Sequence, residues 1–133
     1  MCATSSASRL ARLSAAFDEV CRILQERQPT LVVLEECFVA QGPRAALVLG
    51  QVRGVLHLAV HRAAIPCLEF APRAIKKAAV GNGNASKEQI QYMVPRLISN
   101  CPRNLEPDEA DALAIAWCGA SHAVSSHLFR PAR

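Results

Sequence analysis

Apolar residues recur every three to four positions from Arg9 to Gln28. Leu10, Leu13, Phe17, Val20 and Leu24 fall on one side, and Arg12, Asp18, Glu19, Arg22 and Glu26 on the other. That period predicts an amphipathic helix, capped by Ser6 or Ser8 and stopped by Pro29. The pattern then changes. Thr30 to Glu35 is a short continuous apolar run, as expected of a parallel strand buried on both faces. Gly42-Pro43 opens a second helix with proline at its first position; it runs to about His61 and turns Ala46, Leu49, Val52 (or Arg53), Leu56 and Val60 to one face. Gly50 and Gly54, four apart on this helix, would let another backbone approach closely. A second strand, Cys67 to Ala71, follows Pro66, so strand, helix and strand form a βαβ unit with a right-handed crossover.

Beyond Pro72 the chain reads as a basic helical turn from Arg73 to Ala79, then a loop, Gly81-Asn-Gly-Asn84. Ser86 and Gln89 have the spacing of a capping box for a helix from Lys87, which Pro95 ends or kinks. Pro102 to Pro107 links to a last helix with Leu113, Ile115 and Trp117 as its apolar stripe. Only two strands are legible. Two parallel strands make a poor sheet on their own, because parallel sheets need several neighbours and cover on both faces.

A chain of 133 residues with 51% hydrophobic content suits one domain with a real core and argues against disorder. The formal charge of +4 comes from 15 basic against 11 acidic residues, an excess that permits a polyanionic partner without requiring one. Arginine dominates the bases, which suits bidentate phosphate contact and equally reflects GC-rich coding. The six cysteines form no C-x-x-C pair and no zinc spacing; Cys21, Cys67 and Cys118 sit among apolar neighbours and read as buried thiols. No secretory signal and no membrane-length apolar run is present, so a cytoplasmic protein without a membrane partner is expected.

The candidate chemistry is carboxylate chemistry. Asp108 and Asp111 lie three apart where the last helix begins, and so share a helical face. Acids in a first turn commonly serve the helix dipole, so capping and metal binding both fit them. Glu35 ends the run Leu31-Val-Val-Leu34, and functional side chains of α/β folds gather at the carboxyl ends of such strands.

Four blocks carry a resemblance. Leu34-Glu-Glu-Cys-Phe38, Ala46-Leu-Val-Leu-Gly-Gln-Val-Arg-Gly54, Val80-Gly-Asn-Gly-Asn-Ala-Ser-Lys-Glu-Gln-Ile-Gln-Tyr-Met-Val94 and Asp108-Glu-Ala-Asp-Ala-Leu-Ala-Ile-Ala116 resemble the RuvC Holliday junction resolvases, in the same order and with similar gaps. The resemblance implies an α/β ribonuclease H-like fold and a bacterial, cytoplasmic endonuclease. Such an enzyme nicks opposed strands of four-way DNA junctions in recombination and DNA repair. It further implies a homodimer, work alongside the RuvA–RuvB branch-migration complex, and two Mg²⁺ ions per site, with Mn²⁺ as a substitute. By resemblance Glu35, Asp108 and Asp111 are the catalytic, metal-binding carboxylates, while Phe38, Arg53, Lys76 and Lys87 contact DNA. Phe38 could equally be a core residue, and the two lysines a solvated helix face.

One departure matters. The family's first strand carries Gly-x-Asp-x-Gly, and these 133 residues contain no such motif; their aspartates are Asp18, Asp108 and Asp111. The resemblance therefore implies a single partial domain over 1–133 that lacks the N-terminal three-strand meander. A two-strand parallel βαβ core with about five helices would remain, with an apolar sheet edge exposed. Three of four carboxylates would remain as well, impairing cleavage. The alternative function is a non-catalytic DNA-binding or dimerisation remnant of such a nuclease. A zinc enzyme built on His57 and His61, four apart on one helix, is disfavoured because no Glu follows His57 and His122 and His127 show no supporting pattern.

Overall fold

The computed structural model describes residues 3–36 and 42–126, with side chains described from residue 8 onward. The elements run α1 (Ala3–Arg27), β1 (Val32–Glu35), α2 (Pro43–Arg62), β2 (Cys67–Phe70), α3 (Pro72–Val80), α4 (Lys87–Leu97) and α5 (Pro107–Ser125). They divide into two compact units, one built on α1 and α2, the other on most of β1 and β2 with α3, α4 and α5.

In the first unit α1 packs along α2, and Leu24 of α1 and Ala59 and Val60 of α2 are buried. The helix begins at Ala3, so Ser6 and Ser8 fall inside it and are not its caps. Its end is set at Gln28, whose N–H donates to the Leu24 carbonyl at 3.0 Å and whose positive φ of 45° then turns the chain out of the helix before Pro29. Arg22 bridges Glu19 and Glu26, at 2.6 Å to each, on the solvent side. The expected apolar face of α2 holds only in part. Val60 is buried, but Ala46 is exposed, and Leu47, Val48 and Leu58 also face solvent.

Between the strands the Glu36 N–H donates to the Phe70 carbonyl at 2.9 Å; four residues earlier along each segment, the Val32 N–H donates to the Pro66 carbonyl at 2.9 Å. The constant offset makes β1 and β2 parallel, a two-strand sheet. Every residue of β1 is half-buried rather than buried on both faces as its composition suggested. Two strands of four residues offer too few neighbours to enclose either face.

The core of the second unit joins Ile75 and Ala79 of α3, Ile90 and Val94 of α4, and Ala114 and Cys118 of α5. Full burial of a side chain such as Val94 contributes on the order of 1.5–3 kcal/mol. The buried stripe of α5 is Ala110, Ala114 and Cys118, at spacings of four. Leu113, Ile115 and Trp117 flank it and are half-buried. Small residues take the inner positions because α5 is pressed on by both α3 and α4. Trp117 instead reaches sideways and donates its indole N–H to the Ala78 carbonyl at 3.2 Å.

Of the thiols expected to be buried, Cys118 is, and burial pushes it up from its ordinary value, whereas Cys21 and Cys67 are only half-buried. Ser86 and Gln89 make the expected reciprocal cap at the start of α4. Pro95 is buried inside that helix, which continues only to Leu97.

Gly119 fixes where α5 lies on the sheet. A Cβ there would stand 2.2 Å from Val33 Cγ2, 3.1 Å from Cγ1 and 3.2 Å from Cβ. Valine is stiff at χ1, so neither methyl can swing clear without moving β1 or α5. Alanine is favoured over glycine by about 1 kcal/mol in a helix interior, yet Gly119→Ala should lower stability by about 1–3 kcal/mol through overpacking. Thermal or urea denaturation reads this directly; a variant at least as stable as the parent would refute the close contact.

Candidate active site

Side chains alternate across a strand, so Glu35 shares the face of Val33, the residue seated against Gly119. Along α5, Asp111, Ile115 and Gly119 form an i, i+4, i+8 stripe, with about 12 Å of helix between the first and the last. The Gly119–Val33 contact thereby sets this stripe over the face of β1 that carries Glu35. The result is an open pocket of about 270 Å³, lined by Glu35 from β1, Lys76 from α3, Lys87 from α4 and Asp111 from α5. Pro72, Ile75, Ile90, Ala114 and Ile115 supply its apolar walls. Asp111 is half-buried, and Lys87 Nζ lies 3.7 Å from its Oδ2.

Asp108 is exposed in the first turn of α5 and is not among the residues lining this pocket. The start of α5 is closed by another residue: Glu109 accepts the Glu106 backbone N–H at 3.0 Å. That hydrogen bond removes the need for Asp108 or Asp111 to serve as the cap, which sequence spacing left open. Arg53 is half-buried on α2, in the other unit. Phe38 lies outside the described residues.

Four of the seven residues singled out in the sequence therefore meet in one place. The Lys87–Asp111 pair was not foreseen, because 24 positions separate the two residues and only the packing of α4 on α5 joins them.

A family model, crossover junction endodeoxyribonuclease RuvC, matches residues 1–119. The chain belongs to the RuvC family. Among RuvC relatives, that of Chlamydia trachomatis serovar A is 44% identical over 119 residues, covering 88% of this chain and 70% of its own. That of Koribacter versatilis is 46% identical over 108 residues, covering 80% and 64%. Thermus thermophilus RuvC in complex with Holliday junction substrate superposes with a TM-score of 0.80 at 28% identity, over 87% of this chain and 70% of that one. The fold is thus the ribonuclease H-like one of RuvC, and the chain spans about two thirds of the length of these RuvC relatives.

Among the described residues no three His, Cys, Asp or Glu side chains come together as a ready metal cage. Magnesium does not require one. It is commonly held by one or two carboxylates, with waters and substrate phosphate oxygens filling its octahedron. Glu35 and Asp111 supply hard oxygen donors in one open pocket, and fit such an ion. No helix among the described residues is long and apolar enough to cross a membrane.

Proposed function

We propose that this chain is a Holliday junction resolvase of the RuvC type, a structure-specific endodeoxyribonuclease acting in recombination and DNA repair. The observation that carries the reading is the meeting of Glu35, Asp111, Lys76 and Lys87 in one open pocket, each supplied by a different element. In this role Glu35 and Asp111 hold Mg²⁺, or Mn²⁺ in its place, with Asp108 joining from the neighbouring turn of α5 when substrate is present. The metal would supply an activated water and stabilise the leaving 3′-oxygen of the cut strand, two ions per site being the usual arrangement for such displacements.

The protein's own groups do the rest. Lys76 and Lys87 draw a phosphodiester into the pocket and offset the charge of its oxygens. Arg53 and Phe38 act on the flanking nucleotides, the arginine through phosphate contact and the aromatic ring by stacking. The pocket's apolar walls, Ile75, Ile90 and Ile115, limit bulk water beside the reacting atoms. The family's Gly-x-Asp-x-Gly carboxylate is not among these 133 residues, so this stretch assayed by itself should cleave slowly. Junction binding and cleavage assays, run with and without Mg²⁺, test the reading: binding selective for four-way over duplex DNA is expected.

The reading includes a homodimer, a cytoplasmic setting and cooperation with the RuvA–RuvB complex. For the dimer there is support in α2, where Leu47 and Leu58 are 60% and 52% exposed and a Cβ on Gly50 or Gly54 would meet nothing within 4 Å. An exposed apolar helix face of this kind marks an interaction surface. Leu47→Arg with Leu58→Arg should convert the dimer to a monomer in sedimentation velocity. An unchanged dimer would remove α2 from the interface.

A further inference from the structure

We propose that Lys87 is a resident counter-cation of Asp111 that metal displaces, so that metal entry hands the freed ammonium to the incoming phosphate. The inference rests on the reading of the pocket given above and extends it to the order in which its charges change partners.

Glu35 and Asp111 face Lys76 and Lys87 across the same pocket, so its formal charges cancel before any ligand arrives. Within it, the Lys87 Nζ–Asp111 Oδ2 separation of 3.7 Å is a Coulombic contact, beyond hydrogen-bond length. A contact without a directional bond breaks at little cost. Lys87 is also free to move: its side chain is 71% exposed at the first position of α4, while Asp111 is fixed on the packed helix α5. The backbone around Lys87 is held independently of its side chain, because Ser86 and Gln89 cap one another.

A divalent ion drawn to Asp111 attracts the same oxygens more strongly and repels the ammonium. The displaced lysine then has two residual attractions, solvent and an anion. A phosphodiester entering the pocket offers the lysine a new anionic partner, beside the adjacent Glu88 carboxylate with which it already interacts. Metal and DNA should consequently bind with positive coupling. By thermodynamic necessity each would raise the other's affinity by the same factor.

The test uses the full 133-residue chain and Mn²⁺ alone as the probe, titrated calorimetrically and by the electron paramagnetic resonance of free Mn²⁺. Lys87→Met removes the competitor and should bind Mn²⁺ about two- to fivefold more tightly, the range of an exposed ion pair. Lys76→Met removes an equal charge from the same pocket but leaves the Lys87–Asp111 pair in place, and should give a smaller gain. With a fluorescent four-way junction, Mn²⁺ should raise the affinity of the parent chain by a larger factor than that of Lys87→Met.

Unchanged or weaker Mn²⁺ affinity in Lys87→Met would overturn the exchange, as would equal gains in the two lysine variants, which would mean a general field effect. Identical Mn²⁺ binding by the parent and Asp111→Asn would overturn the metal-site reading itself, and the exchange with it.

Discussion

Asp111→Asn is expected to weaken Mn²⁺ or Mg²⁺ binding by the DNA-free protein by roughly 10²-fold, and Glu35→Gln to do nearly as much. Two unit charges about 4 Å apart attract by about 4 kcal/mol at an effective dielectric near 20, and a divalent ion doubles this before desolvation takes its share. Loss of one carboxylate from a two-carboxylate site should therefore leave little binding. Asp108→Asn should cost far less in this assay, because Asp108 is exposed outside the pocket that Asp111 and Glu35 line. Asp111→Asn keeps shape and loses only a partly exposed contact with Lys87, so its folding should change by no more than about 1 kcal/mol. Calorimetric titration of each purified variant decides. Metal affinity that survives in Asp111→Asn but disappears in Asp108→Asn would relocate the site to the first turn of α5.

Much of this arrangement is legible in the amino-acid sequence. Proline at the start of α2, the Ser86–Gln89 cap, and the end of β1 at Glu35 are local features, and local features are what spacing reports. Asp108 and Asp111 show the limit. Their separation of three gives a shared helical face, but it cannot say that Glu109 takes the capping role or that only Asp111 lines the pocket. Those outcomes depend on the rotation of α5 about its axis. That rotation follows from the stripe Ala110, Ala114 and Cys118, whose small side chains carry a weaker hydrophobic signal than Leu113 and Trp117. The same reasoning explains Gly119. In sequence it is a helix-weakening residue; in the fold it is the place where Val33 meets α5 and sets Asp111 over Glu35. Contacts between residues far apart in the chain, such as Lys87 with Asp111, leave no periodic trace at all.

The purified 133-residue chain is expected to bind four-way junctions yet nick them at least roughly 10³-fold more slowly than the Chlamydia trachomatis relative under the same Mg²⁺ conditions. A two-ion displacement must hold one ion beside the attacking water and another beside the leaving oxygen, and each needs its share of carboxylate oxygens. Here Glu35 and Asp111 share a pocket and Asp108 stands one turn away, while the family's Gly-x-Asp-x-Gly carboxylate has no counterpart in the sequence. Asp18 is an exposed side chain of α1 and is not among the residues that line the pocket. Binding draws on different groups. Lys76 and the arginines, in the proposed role, can engage phosphates whether or not the ions are complete, so much of the affinity should persist without metal and fall with rising salt. Gel-shift and cleavage measurements on one synthetic junction separate the two properties. Rapid, magnesium-dependent, symmetric nicking by this chain would mean that Glu35, Asp108 and Asp111 suffice for both ions.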